Sequence, residues 1–201
     1  MKRAAFFLLV GMGTLLTLSF AEPVRASDVM PAVVEVPAVE GGLYHVDGLR
    51  TQVVFSVSCL SVSWYHGLFS GVSGSLQLDS AHPEQSHVAL RLPVQSLTTT
   101  SGSVTETLWD EGWLDVRKYP DATFVSTQIV SDGLSQAKVA GRLTLHGVTR
   151  PVTLHVHFVG AGKNPMDHDY TVGFEAHGTI QRSAFGIRNA MAAVGDDVKL
   201  T

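Results

Sequence analysis

The chain has 201 residues, nine histidines, a single cysteine and a net charge of −4. Hydrophobic residues at 45% against 16% charged describe a well-cored globular chain and argue against disorder. An acidic balance without a basic run excludes nucleic-acid binding and polybasic membrane recognition, and one cysteine excludes an internal disulfide.

The N-terminus reads as an export signal. Lys2 and Arg3 precede an apolar run from Ala4 to Phe20, and Val24-Arg25-Ala26 follows with the small-residue spacing of a cleavage site. This predicts a cleaved signal peptide over residues 1–26, with Ala21 as a second cut point, and so a periplasmic or secreted protein. An uncleaved anchor is the competing reading, because the run nears the length that spans a bilayer. No cysteine near the cut supports a lipoprotein anchor. Residues 27–42, punctuated by Pro31, Pro37, Gly41 and Gly42, read as an extended leader into one barrel domain over 43–201.

Period-2 alternation then dominates. Tyr44–Asp47 predicts a first strand and Gln52–Cys59 a second, with Val53, Phe55, Val57 and Cys59 on one face. Tyr65–Asp79 contains Gly67, Gly71 and Gly74, as bulges or sharp bends require. Val88–Val94 places Val88, Leu90, Leu92 and Val94 together. A helix begins near Ser103, where Ser103-Val104-Thr105-Glu106 fits a capping box, and stops before Gly112 and Tyr119-Pro120. Strands follow over Thr123–Ile129, Lys138–His146, Val152–Val159, Tyr170–Gln181 and Val198–Leu200.

The clearest stretch is Gly141–Phe158. Leu143 and Leu145 alternate with polar residues, then after a break of about five residues Val152, Leu154, Val156 and Phe158 do the same. Two antiparallel strands follow, with Gly147 at the corner and Pro151 at a strand start. The whole reads as all-β, an antiparallel barrel or sandwich.

Chemistry-bearing patterns are sparse. His155 and His157 share a strand face, a spacing metal sites use, yet that face lies opposite Leu154, Val156 and Phe158 and so points outward. No Gly-x-Ser-x-Gly elbow marks a nucleophile, and Asp110-Glu111 sits at a helix end rather than as a spaced acid pair. Cys59, between apolar neighbours, reads as a small buried hydrophobe. The residues therefore predict no enzyme, no cofactor and no metal. Whether the apolar faces fill a sandwich core or line a ligand tunnel is left open by periodicity.

Several motifs bear on that choice. Gly141-Arg-Leu-Thr-Leu-His-Gly-Val-Thr-Arg-Pro-Val152 resembles the hallmark segment of the YceI-like family of bacterial envelope proteins. Phe55 to Ser63 followed by Gly67-Leu-Phe69, Trp113-Leu-Asp, Tyr119-Pro-Asp-Ala-Thr-Phe124 with Ser126-Thr127, and Arg182 with Phe185-Gly186-Ile187 resemble its other motifs in order. Cys59 stands where that family usually has histidine, Val104 and Thr105 replace its Arg-Asp pair, and Ala184 replaces an aspartate. The resemblance implies an eight-stranded antiparallel lipocalin-like barrel with one short helix closing an end.

It further implies a long-chain isoprenoid or related lipid, of polyprenyl, quinone-tail or fatty-amide type, held in an apolar tunnel by a carrier or storage protein. The residues that would contact it are Phe55, Val57, Cys59 and Phe69, with Leu90 and Leu92. Trp109 and Trp113 around the helix, Phe124, and Leu143 and Leu145 join them. Val156, Phe158, Phe174, Ile180 and Phe185 complete the set. A homodimer and an inner-membrane donor or acceptor of the lipid are the partners that go with this reading. Two alternatives stand beside it: an envelope-stress interaction module with a filled core, and a weak metal- or redox-associated protein.

Overall fold

The computed structural model describes residues 39–166 and 168–201. The signal peptide and most of the leader lie outside the described residues. The strands are β1 Gly42–His45, β2 Val53–Cys59, β3 Ser63–Phe69, β4 Ser73–Leu78, β5 His87–Pro93 and β6 Thr98–Thr99. After the helix α1 Gly102–Trp109 come β7 Asp121–Ser131, β8 Gln136–Leu145, β9 Val148–Lys163, β10 Tyr170–Gln181 and β11 Val194–Leu200. All pair antiparallel, in the order β1-β4-β5-β7-β8-β9-β10-β11-β2-β3-β6.

Among the described residues the sheet has eleven strands rather than eight. The glycine-rich stretch 65–79 is two strands rather than one bent strand, and the two-residue β6 carries too short an alternation to be read from sequence.

Strand order explains why the sheet curls. β3 and β4 follow one another in the chain, yet they sit near opposite ends of the sheet. Only Ser70, Gly71 and Val72 join them, a span of about 14 Å at full extension, so the sheet's edges must approach each other there. A polar clasp and an apolar plug hold the seam. Ser70 N–H donates to Ser96 Oγ (3.1 Å), while Val72, Val94 and Leu97 are 2%, 1% and 0% exposed.

The β8–β9 hairpin is tighter than its sequence suggests. Its connection is the two residues His146 and Gly147, both with positive φ (51° and 72°), and Leu145 pairs directly with Val148. Both central residues in the left-handed region make the turn type whose twist matches the flanking strands. A Cβ on Gly147 would lie 2.5 Å from Tyr119 Cε1, so glycine is needed there for space as well as for φ. His146 is held in place by an edge-on contact with Tyr119 (4.6 Å) and by its Nδ1, 3.1 Å from the Phe185 carbonyl.

Pro151 is consequently not a strand-start residue. It lies inside β9 and pairs with Arg142, tolerated because β10 pairs with β9 only from His155 onward. The capping box also does not form. Ser101 is the N-cap, and Thr105 takes over the local bonding, its Oγ1 donating to the Ser101 carbonyl (3.1 Å) and accepting from Thr99 N–H (3.0 Å).

Candidate functional site

Along β9 the inward positions Val152, Leu154 and Val156 are half-buried, not fully buried, while their neighbours are exposed. Inward side chains keep partial exposure when they face a space instead of an opposing layer. That space is a continuous cavity of about 1510 Å³.

Its walls follow the strands. β2 contributes Phe55, Val57 and Cys59; β5 contributes Leu90 and Leu92; β7 and β8 contribute Phe124, Ile129, Val139, Leu143 and Leu145. β4 adds Leu76 and Leu78. From α1 come Val104, Thr107 and Leu108, residues three and four apart that share one helix face, and Trp113 and Leu114 continue that end. Phe124, Ile129 and Val139 form a buried cluster in the wall, with Leu154 and Val156 packed against it.

The opening arises from β10 changing partners. Its residues Tyr170–His177 pair with β9, and Gly178–Gln181 pair with β11, with a bulge at Gly173/Phe174. Strands that switch sheets in this way make the corners of barrels and sandwiches. Two gaps result. At one, beside Val148–Leu154 of β9, the 3-10 turn Arg182–Phe185 packs in, with Arg150 Nε donating to the Ala184 carbonyl (3.1 Å). At the other, the edge of Tyr170–His177 away from β9 has no strand partner among the described residues.

Residues around that second gap line the cavity and are also open to solvent: Leu43 (60% exposed), Val54 (39%) and Phe174 (43%). Across it, Glu40 N–H donates to Tyr170 Oη (3.3 Å) and Tyr44 Oη–H donates to the Glu40 carbonyl. Burial raises the Tyr44 pKa, and the neighbouring Tyr170 and Glu40 add to this, so the phenol stays a donor. Asp47, its carboxyl held below the usual range by Arg50, also borders the portal.

The opposite end carries the one deeply buried cation among the described residues. Arg182 is 4% exposed and reaches the cavity. Its Nε donates to the Gly195 carbonyl (2.8 Å), Nη1 to those of Ile187 (3.1 Å) and Asn189 (2.8 Å), and Nη2 to that of Val194 (2.7 Å). The guanidinium stands 5.5 Å from the Trp113 ring centroid. Burial pushes its pKa down, and the Asp196 charge opposes this.

The YceI-like domain model matches residues 44–201. The chain belongs to the YceI-like family. It is 39% identical over 142 residues to a UPF0312 protein of Pseudomonas syringae pv. tomato, covering 71% of this chain and 73% of that one. A UPF0312 protein of Azotobacter vinelandii is 34% identical over 77% of this chain and 80% of its own. Among solved structures, Burkholderia cenocepacia BcnA superposes with a TM-score of 0.67 at 27% identity, covering 76% of this chain and 94% of that one. A polyisoprenoid binding domain from Saccharophagus degradans shares the fold at a TM-score of 0.53 and 15% identity, over 80% and 95% of the two chains.

Within this YceI-like barrel the cavity brings together all the sequence-derived contact residues except Trp109, Phe158 and Phe185. Trp109 follows Leu108 on α1 and so falls about 100° around the helix from the cavity-facing row. Phe158 packs against Phe174 with the rings tilted (centroids 5.6 Å apart, 59° between planes), and it is Phe174 that borders the cavity. Phe185 sits on a 3-10 turn where strand alternation does not apply, 1% exposed and outside the lining. His155 and His157 are exposed on the outer face of β9, and among the described residues no His, Cys, Asp and Glu side chains converge to hold a metal. Sequence reasoning missed Tyr65 and Arg182 in the wall. Leu76 and Leu78 had an i, i+2 signal, whereas nothing local marks a buried arginine as cavity-facing.

Proposed function

We propose that this YceI-like protein binds one long-chain lipid in the cavity and carries or stores it, without catalysis, in the periplasm or outside the cell. The ligand class is a polyprenyl, quinone-tailed or fatty-amide molecule. One observation carries the reading: a continuous cavity of about 1510 Å³ walled by aliphatic and aromatic side chains. That exceeds the 300–1,000 Å³ usual for drug-sized ligands. It also argues against a filled barrel acting only through its outer face.

The energetics suffice without any covalent chemistry. Burying a methylene is worth about 0.8 kcal/mol, so twenty carbons contribute roughly 16 kcal/mol. Association and chain ordering take back several kcal/mol. Micromolar binding needs only about 8 kcal/mol of the remainder. Leu43, Val54 and Phe174 at the portal extend the apolar lining to the outside, which suits exchange with an inner-membrane donor or acceptor. The polyisoprenoid binding described for the Saccharophagus degradans domain of the same fold agrees with this ligand class.

Native mass spectrometry of protein purified from the periplasm tests the reading. A copurifying long-chain lipid of defined mass, removed by organic extraction, is the expected result. Lipid-free protein that also ignores added polyprenols and quinones would overturn it.

A further inference from the structure

The charged side chains of the cavity divide between its two ends. Asp47, Arg50, Asp169 and Glu175 lie around the portal with Tyr44 and Tyr170, where water reaches them, and Arg182 lies just past the other end of β10, about 40 Å of strand from Tyr170. A buried cation normally sits against a carboxylate. Arg182 does not. The carboxylate near it, Asp196, is bound to Ser183 through the backbone N–H (2.8 Å) and Oγ (2.7 Å), and Arg182 itself bonds only to neutral carbonyls.

The donor count is informative. A guanidinium has five N–H groups. One on Nε, two on Nη1 and one on Nη2 reach the carbonyls of Gly195, Ile187, Asn189 and Val194. The second N–H on Nη2 has no partner among the described residues. Four fixed bonds and the Trp113 ring hold the guanidinium rigid, so the fifth donor costs no side-chain entropy when it is used. The wall beside it is apolar: Cys59, whose strand partner is Val194, with Trp113 and Ile187. In such surroundings a single charged hydrogen bond discriminates strongly between ligands that can accept it and those that cannot.

We infer that Arg182 is the head-group anchor of this cavity: the lipid enters head-first and its terminal carbonyl-type oxygen, as in a quinone, amide or carboxylate, accepts the free Nη2–H. The tail then fills the barrel back to the portal, where the apolar rim receives it. The inference rests on the lipid-binding reading and adds to it the polarity of the ligand's inner end and its direction of entry. It also assigns a polar terminus to a barrel in which Cys59, Val104 and Thr105 supply no charged group.

Probes of matched chain length test this on the wild-type protein. Hexadecanamide, hexadecanoic acid and hexadecane are compared by displacement of a bound fluorescent lipid. The amide and the acid should bind at least tenfold more tightly than the alkane. Fatty acids brominated beside the carboxyl or at the chain terminus then report direction. Quenching of tryptophan emission in a Trp64→Phe, Trp109→Phe protein, which leaves Trp113, should be stronger for the bromine beside the carboxyl. Arg182→Met should lose the head preference while keeping alkane binding, and Arg182→Lys should retain part of it. Equal affinity for all three probes, or stronger quenching by the terminal bromine, overturns the anchor even if the Arg182 variants fail to fold. Failure of every probe to bind overturns the lipid-binding reading itself, and the anchor with it.

Discussion

The ring of Phe55 lies across Gly67, its directly opposed partner on the neighbouring strand, so closely that a Cβ at that position would collide with ring carbons Cε1 and Cζ. The glycine is therefore a recess in the wall. It lets an aromatic ring lie against the sheet instead of standing out into the cavity, and Phe69 packs against the same ring at 5.8 Å.

Gly67→Ala should consequently act on both stability and capacity. The Phe55 ring must swing inward or the strands must part, an overpacking that costs about 1–3 kcal/mol. Urea unfolding measures the first effect. The largest copurifying or titrated lipid should also become shorter, read by mass spectrometry. A variant with unchanged stability and unchanged lipid length would show that the ring has somewhere else to go.

Phe174 separates binding from folding more cleanly than any fully buried wall residue. It borders the cavity but is 43% exposed beside the β10 bulge, so a charge there stays wetted. Phe174→Glu should leave the melting temperature within a few degrees and lower lipid uptake at least tenfold, because an apolar chain would have to pass a carboxylate at the portal. Phe158, packed against it but outside the lining, should show the weaker effect when replaced by leucine. Equal losses from the two substitutions would contradict the assignment of Phe174 to the portal.

These two phenylalanines mark the limit of what alternation reveals. Period-2 patterning places both on the inward face of their strands, and β10 ends where its pattern predicts, at Tyr170–Gln181. What patterning lacks is register. The bulge at Gly173/Phe174 and the change of partner at Gly178 are pairing events between distant segments, and they decide which inward residue meets the cavity. The same holds for the seam between β3 and β4, which depends on a sheet-wide order that no local window contains. The His146-Gly147 turn was half legible: glycine marked the corner, but a histidine at positive φ hid the first turn residue. Arg182 was legible as a motif residue and not as a buried one, because burial of a charge depends on four carbonyls supplied by the chain over 187–195.

Acid should weaken the Arg182 end of the barrel. Asp196 has its carboxyl held below the usual aspartate range, mainly by the Ser183 hydroxyl and backbone N–H, with the charges of Arg182 and Arg188 adding to this. A carboxylate whose folded-state pKa is depressed contributes stability that is fully present above its unfolded value, about 3.9, and is lost as pH falls through the folded value below it. Thermal unfolding followed from pH 6 down to pH 2.5 should therefore fall more steeply for wild type than for Asp196→Asn, whose curve should start lower and be flatter. Parallel curves would mean that the Ser183–Asp196 pair is not coupled to folding.

Two leucines distinguish the part of the interior that is packed from the part that awaits a ligand. Leu97 borders the cavity too, but it is 0% exposed and closes the seam with Val94 and Val72, so Leu97→Ala removes packing that the surroundings cannot restore, a cost of about 2–5 kcal/mol. Leu90 is half-buried in the cavity wall. Its truncation widens an existing space, and in the lipid-free protein the cost should be only about 1–2 kcal/mol. Lipid should change this ranking. A ligand at a hundred times its Kd adds about 2.7 kcal/mol of apparent stability, and Leu90→Ala weakens that ligand's contacts while Leu97→Ala leaves most of them intact. Urea unfolding of both variants, delipidated and loaded, measures the difference. Lipid should rescue Leu97→Ala by nearly the wild-type increment and Leu90→Ala by visibly less, and equal rescue of the two would show that the ligand does not rest on the β5 wall.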